Sequence, residues 1–149
     1  MLFTGYSENS IDAKQRLAVP AKYRNLWNPE RDGHAWISIP WSTGHLRLYT
    51  ENFFVSVGQN AKPTLTPDRD TADLEARFFS LAERIEMDTA GRIILPKHHL
   101  ELAGLKSDVA VLGAGNRLEL HDLTRWKAGS LDGFRSLPEL VERIQARNT

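Results

Sequence analysis

Two segments of the chain place an aspartate four residues before an arginine and a proline four residues after it. They are residues 12–20 (DAKQRLAVP) and residues 88–96 (DTAGRIILP). An aspartate at the end of a strand can accept hydrogen bonds from the backbone N–H groups of its own turn. An arginine nearby can pair with that carboxylate, or it can bind phosphate or the O6 and N7 atoms of guanine bidentately. The spacing therefore allows either a stabilised turn or a contact with nucleic acid.

The candidate DNA-binding residues are the cations in or next to these segments: Lys14, Arg16, Lys22, Arg24 and Arg92. The formal net charge of the chain is +0, so a basic surface must come from a local excess of Lys and Arg. Residues 12–24 provide such an excess, with four basic residues and one acidic residue. Two alternatives stay open: Arg16 and Arg92 can simply pair with the aspartates, and Lys22 and Arg24 can lie on a solvated helix face.

Three residues of the two segments have predicted structural roles. Asp12 and Asp88 are predicted to stabilise their turns, and Gly91 is predicted to supply a positive φ just before Arg92. The first segment has Gln15 at the position of Gly91. Because a non-glycine residue with positive φ carries strain, we expect the first turn to differ in shape from the second.

Residue types and spacing do not favour other kinds of site. The chain has no cysteine, which excludes disulfides, thiolate metal ligands and thiol nucleophiles. His98 and His99 are adjacent and cannot share one helix face. Residues 113–115 (GAG) are not followed by the third glycine of a dinucleotide-binding loop, so a hairpin turn is predicted there. No catalytic residue, metal site or cofactor is predicted.

The two segments belong to a longer internal repeat. Residues 11–20 align with residues 87–96 at an offset of 76, and residues 48–54 align with residues 120–126 at an offset of 72. Each copy predicts a strand, a tight turn, a second strand, a helix that begins at a proline, and further strands. Because a half of about 75 residues with such short strands buries little surface alone, the two copies are expected to pack as an intramolecular pseudo-dimer.

The repeat predicts four parts, which cover residues 1–60 (first half), 61–84 (linker and helix), 85–128 (second half) and 129–149 (helical tail). The linker is predicted over residues 60–67, which contain two prolines, and the helix over residues 68–84. Ser136 is predicted to cap a terminal helix. The apolar stripe of that helix is expected to pack on the body of the protein or on a neighbouring subunit.

The paired segments and their surroundings resemble the MraZ family. Residues 77–79 (RFF) precede the second segment, residues 103–105 (AGL) follow its helix, and residues 113–120 (GAGNRLEL) lead to Trp126, in the order and spacing of that family. The resemblance implies a mixed α+β, mainly β fold, in which two tandem AbrB-like swapped-hairpin halves form a pseudo-dimeric barrel with peripheral helices. It also implies a ring-like homo-oligomer that binds short repeats on double-stranded DNA in the promoter of the division and cell-wall gene cluster, usually as a repressor.

The leading hypothesis is therefore a cytoplasmic, nucleoid-associated DNA-binding regulator and not an enzyme. A membrane is not expected as a partner, since no apolar stretch of about 18 residues is present. A small-molecule substrate is not expected either. One alternative is a ring-forming interaction module without a DNA role, which the neutral net charge would suit. Another is an enzyme that pairs Asp12 with Asp88, which the adjacent arginines disfavour because a neighbouring cation keeps a carboxylate ionised.

Overall fold

A computed structural model describes residues 1–60 and 63–149. Residues 61 and 62 of the predicted linker lie outside the described residues. The first copy of the repeat folds into β1 (Tyr6–Ser10), β2 (Arg16–Ala18), α1 (Ala21–Arg24), α2 (Pro29–Asp32), β3 (Trp36–Trp41), β4 (His45–Thr50) and α3 (Glu51–Gln59). The rest of the described chain folds into α4 (Arg69–Leu81), β5 (Glu83–Ile85), β6 (Arg92–Ile94), α5 (Lys97–Ala103), β7 (Asp108–Gly113), β8 (Leu118–Asp122), α6 (Leu123–Arg135) and α7 (Leu137–Arg147).

The two copies of the repeat fold in the same order. β2 and β6 each follow an aspartate turn, and Pro20 and Pro96 directly precede α1 and α5. A proline costs little at this position because the first N–H groups of a helix have no intrahelical partner. The hairpin turn predicted around residues 113–115 is confirmed, since β7 pairs with β8 across it.

Strands from both copies form one antiparallel sheet of six strands, in the order β1-β7-β8-β4-β3-β5. The first strand of each copy pairs with the hairpin of the other copy, β1 with β7 and β5 with β3. The two hairpins meet at the centre, where β4 pairs with β8. Each half therefore completes the sheet of the other half.

The sheet is open, so the predicted barrel is wrong. Among the described residues β1 and β5 are the outer strands, and β2 and β6 form a separate two-stranded sheet. Closure would require β1 and β5 to pair with each other, but both are short and each pairs only with the other half's hairpin. The expectation of a mainly β protein is also wrong, because 41% of the residues lie in helices and 27% in strands.

Two local predictions need correction. The helix predicted over residues 68–84 begins after Asp68, whose carboxylate accepts from the N–H of Thr71 at 2.8 Å, but it ends at Leu81. The next residues leave the helix because Glu83–Ile85 pairs with β3. Ser136 does not cap α7 with its side chain; its Oγ donates to the Asp132 carbonyl at 2.8 Å, within the last turn of α6.

A single apolar core joins the two sheets. Trp36 is fully buried in this core, and Leu17 of β2 and Ile93 of β6 are 1% and 0% exposed. β2 and β6 thus turn one face inward on residues of the larger sheet. The helices α4, α6 and α7 have no buried residue. No helix in the described part of the chain combines the length and the hydrophobicity that a membrane-spanning segment needs.

Substitution of Ile93 by alanine is expected to lower the free energy of unfolding by about 2–5 kcal/mol, because a fully buried side chain is lost and a cavity remains. Ile94→Ala is the matched control, since Ile94 is 61% exposed, and we expect a change within about 0.5 kcal/mol. Urea unfolding of both variants measures the difference. Equal losses of unfolding free energy in the two variants would contradict the placement of the β2–β6 sheet over the core.

Candidate nucleic-acid interface

Both carboxylate oxygens of Asp12 hold the first turn. Oδ1 accepts from the backbone N–H of Lys14 at 2.9 Å and from that of Arg16 at 2.8 Å. Oδ2 accepts from Nε of Arg16 at 2.7 Å, and the N–H of Gln15 donates to the Asp12 carbonyl at 2.9 Å. The carboxylate thus fixes the turn and also the arginine that follows it.

The second turn has the same hydrogen bonds. Oδ1 of Asp88 accepts from the N–H groups of Ala90 and Arg92, both at 2.9 Å, and Oδ2 accepts from Nε of Arg92 at 2.8 Å. The φ angle is +65° at Gln15 and +77° at Gly91. The expectation that the first turn differs in shape is therefore wrong: Gln15 adopts the left-handed conformation, and the bonds to the aspartate offset its strain.

A contact between the two halves leaves little room for a side chain at Gly91. A Cβ added to Gly91 would lie 2.3 Å from Cδ of Arg24. Arg24 crosses the turn here, and its Nε donates to the carbonyl of Val19 at 2.8 Å. The residue of the second copy that corresponds to Arg24 is Leu100, which has no guanidinium to place over the first turn.

Each turn is hydrogen-bonded to the strand of the other copy. The N–H of Leu95 donates to the carbonyl of Gln15, and the N–H of Val19 donates to the carbonyl of Gly91, both at 2.9 Å. These two bonds are equivalent under the repeat, so they flank an approximate twofold axis. The position of one turn is therefore coupled to the position of the other.

The strands β2 and β6 and the two aspartate turns together form a surface that we name the turn ribbon (residues 12–18 and 88–94). In its antiparallel register Arg16 lies opposite Ile94, and Ala18 lies opposite Arg92. Because side chains alternate along a strand and Leu17 points into the core, these four residues share the outer face. The two turns lie at opposite ends of the ribbon.

The guanidinium groups of Arg16 and Arg92 are oriented through Nε. Their side chains are 29% and 39% exposed. Within residues 1–60 and 63–149, each of the two groups makes its side-chain hydrogen bond through Nε alone. Nη1 and Nη2 remain available at the surface, and a bidentate contact with phosphate or guanine requires such a pair of donors in a fixed plane.

The turn ribbon carries a positive charge although the whole chain is neutral. The backbone N–H of Arg16 and its guanidinium lower the pKa of Asp12, and the same groups of Arg92 lower the pKa of Asp88. Both carboxylates are therefore ionised at neutral pH. Lys14, Arg16 and Arg92 against these two anions leave a net charge of +1 on the turn ribbon, and Arg24, which lies across Gly91, raises the local charge to +2.

The structure does not bring all five candidate cations together. Lys14 is exposed at the tip of the first turn, and Arg24 lies across Gly91 at the second turn. Lys22 points to β1 instead, where its Nζ donates to the carbonyl of Tyr6 at 2.8 Å and lies 5.1 Å from the ring centroid of Tyr23.

Two residues of the outer face, Ala18 and Ile94, were not recognised from the sequence. Ile94 is a large apolar side chain that is 61% exposed beside two cations. The sequence does indicate which residues share a face, because residues 16 and 18, like residues 92 and 94, have the i, i+2 spacing of one strand face. Which face points outward depends on the pairing of β2 with β6, which connects distant parts of the chain.

Comparison with known proteins relates this chain to one family. The family model described as "MraZ protein, putative antitoxin-like" matches residues 78–132. Transcriptional regulator MraZ of Chromobacterium violaceum is 36% identical over 130 residues, which is 87% of each chain. The proteins of the same name from Heliobacterium modesticaldum and Acetivibrio thermocellus are 31% and 29% identical over 143 residues, which is 96% of each chain.

The turn geometry predicts opposite effects for two exchanges at equivalent positions. Gly91→Ala is expected to lower the free energy of unfolding by about 1–2 kcal/mol, because alanine is strained at positive φ and its Cβ would displace Arg24. Gln15→Gly is expected to be neutral or to stabilise by up to about 1 kcal/mol, because it removes that strain. Chemical denaturation measures both changes.

Gly129→Ala serves as the control for glycine replacement. Gly129 lies inside α6, and an added Cβ there meets no atom of the described residues within 4 Å. Alanine is favoured over glycine in a helix interior, so stability should rise slightly. A loss at Gln15→Gly equal to that at Gly91→Ala would refute the account of the two turns.

Proposed function

This chain belongs to the MraZ family, and we propose that it is a transcriptional regulator that binds double-stranded DNA through the turn ribbon. The observation that carries the proposal is the pair of guanidinium groups of Arg16 and Arg92, each held by its own aspartate with Nη1 and Nη2 at the surface. Lys14 and Arg24 are the supporting cations. Lys22 ranks below them because its Nζ binds the carbonyl of Tyr6.

The shape of the turn ribbon favours recognition in the major groove. That groove is about 12 Å wide and admits a two-stranded β-ribbon. There an arginine can contact O6 and N7 of guanine bidentately, and an apolar side chain can contact the methyl group of thymine. Arg16 and Arg92 suit the first role and Ile94 suits the second, so the binding is expected to depend on sequence.

Phosphate contacts would position the ribbon in the groove. Lys14 projects from the tip of the first turn, and Arg24 lies at the second turn, so both flank the outer face. Such contacts supply affinity that depends on salt but not on sequence. The turn ribbon and Arg24 together carry a net charge of +2, which provides the attraction that the neutral chain as a whole lacks.

A ring-like homo-oligomer and short promoter repeats belong to the same proposal. A single ribbon spans few base pairs, and weak contacts are multiplied when linked subunits reach successive repeats. The tail exposes the apolar side chains Leu131, Phe134, Leu137, Leu140, Val141 and Ile144, which can pack against a neighbouring subunit. From the resemblance to MraZ, the expected outcome is repression of the division and cell-wall gene cluster.

The finer structural description is part of the proposal as well. The exchange of β1 and β5 between the halves supports the assignment of AbrB-like swapped-hairpin units. We propose the first half at residues 1–60, the linker and helix at 61–84, the second half at 85–128 and the tail at 129–149. A regulator of this kind acts in the cytoplasm at the nucleoid.

Two other functions are less well supported. An enzyme that shares a proton between Asp12 and Asp88 would need the two carboxylates to face one another. Each instead accepts from its own arginine, and the two turns lie at opposite ends of the ribbon. An interaction module without a DNA role would leave the oriented guanidinium groups without a ligand.

Removal of either guanidinium is expected to weaken specific DNA binding by about tenfold to a hundredfold, since one bidentate base contact is worth about 1–3 kcal/mol. Arg16→Ala and Arg92→Ala would be compared with the wild type on a duplex that contains the chain's own upstream promoter, at several salt concentrations. Lys14→Ala should weaken specific and random duplexes alike and lower the salt slope by about one.

Arg77→Ala is the matched control, because Arg77 also pairs with an aspartate four residues earlier but lies on α4. It should leave DNA affinity unchanged. Equal affinity of the wild type for promoter and random duplexes would contradict the proposed function and favour the interaction module.

The proposed oligomer predicts a dependence on repeat number and spacing. Affinity should rise steeply from one repeat to several and fall when the spacing is scrambled, because linked ribbons then miss their sites. Titration of duplexes with one, two or three repeats measures this dependence. Affinity that is indifferent to spacing would show that each subunit binds independently.

A further inference from the structure

The C-terminal helix α7 carries an apolar stripe that no part of the described chain covers. The stripe consists of Leu137, Leu140, Val141 and Ile144, whose spacing places them on one helix face. Each of these side chains is between 41% and 51% exposed, and α7 buries no residue against the body of the protein. An amphipathic helix with a bare apolar face is typical of a surface that binds a partner.

The junction between α6 and α7 keeps the stripe away from the body. The N–H of Ser136 donates to the carbonyl of Asp132 at 3.0 Å, and the N–H of Leu140 donates to the carbonyl of Ser136 at 3.1 Å. These are the i to i−4 bonds of an α-helix, so no turn folds α7 back on α6. In the first copy, by contrast, α4 packs on α3, where the ring centroids of Phe54 and Phe79 are 5.9 Å apart.

An apolar groove lies between the helices α3 and α4 and the end of β3. We name it the α3–α4 groove; its volume is about 530 Å³, and its apolar lining consists of Trp41, Val57, Leu74, Phe78 and Phe79. Val57, Leu74 and Phe79 are 54%, 62% and 43% exposed. The groove is therefore a second bare apolar surface, with the aromatic and aliphatic lining of a site that binds a helix.

The α3–α4 groove and α7 belong to opposite edges of the large sheet. α4 lies beside β3, where the ring centroids of Phe78 and Trp41 are 6.2 Å apart, and β3 is next to the outer strand β5. α6, which leads into α7, lies beside the other outer strand, where Nζ of Lys127 is 3.2 Å from a carboxylate oxygen of Glu8 in β1. The stripe of α7 is thus separated from the groove of its own chain.

The charges beside the two surfaces are complementary. Within the described chain the groove is lined by two acidic residues, Asp68 and Glu75, and by no basic residue. The last five residues of α7 contain Arg143 and Arg147 and no acidic residue. Each arginine follows a residue of the stripe by three positions and so lies on a neighbouring part of the helix surface. Opposite charges beside two apolar surfaces favour their association and fix its orientation.

We propose that α7 of one molecule docks its apolar stripe in the α3–α4 groove of a second copy of this chain. Each molecule offers one helix and one groove, at opposite edges of the sheet, so the contact is heterologous and repeats from one molecule to the next. A ring forms when the rotation between neighbours closes. This inference rests on the oligomer of the proposed function and assigns the two surfaces that join its subunits.

Two double variants of the full chain inactivate the two surfaces separately. The helix variant combines Leu140→Glu with Ile144→Glu, and the groove variant combines Val57→Glu with Leu74→Glu. All four side chains are at least 41% exposed, so both variants should fold, and circular dichroism checks this. Glutamate in both variants prevents the altered helix from pairing with the altered groove, because like charges repel.

Size-exclusion chromatography with light scattering measures the mass of each sample. We expect an oligomer for the wild type and a monomer for each variant alone. An equimolar mixture of the two variants should form a dimer and nothing larger, because one intact helix meets one intact groove and the other pair is inactive. The control is Leu102→Glu, at a residue of α5 that is 58% exposed, and it should assemble as the wild type does.

The proposal is overturned if the wild type is a monomer, if either variant alone assembles as the wild type does, or if the mixture of folded variants stays monomeric or exceeds a dimer. Binding of a duplex with one repeat tests the proposed DNA function separately, since neither variant alters the turn ribbon. Specific binding by both variants without assembly of their mixture would refute only the docking. Assembly as expected without specific binding would refute only the DNA function.

Discussion

The exchange of strands between the two halves is the constraint on which the rest of the structure depends. Each copy of the repeat has short strands, and a half of about 75 residues is expected to bury little surface alone. β1 completes the second hairpin, β5 completes the first, and β2 pairs with β6 over a shared core. This arrangement brings two aspartate turns, distant in sequence, onto one ribbon.

Joining both halves in one chain allows equivalent positions to differ. Arg47 and Glu119 occupy equivalent positions in the two copies of the repeat. They lie opposite each other where the approximate twofold axis passes between β4 and β8. Two identical residues there would place like charges side by side, whereas this chain places opposite charges. Gln15 and Gly91 are a second case, because only Gly91 lies beneath an arginine.

The sequence predicted most of the local structure and the packing of the two copies on each other, but it did not predict which strands pair. The turns follow from aspartate chemistry, and the helix starts follow from Pro20 and Pro96. The open sheet, the end of α4 at Leu81 and the outward position of Ile94 depend on which strands pair. The α3–α4 groove was missed because Trp41 and Phe78 meet only when α4 packs beside β3. The left-handed Gln15 was unexpected because hydrogen bonds to Asp12 offset its strain.

The central claim is that both turns and the ribbon between them form one DNA-binding surface. Hydrogen exchange with mass spectrometry, on the full chain with and without a promoter duplex, tests it directly. The account predicts that peptides covering residues 11–20 and residues 87–96 gain protection together, at the same DNA concentration. Protection confined to one of these segments, or found only in α6 and α7, would contradict a shared surface.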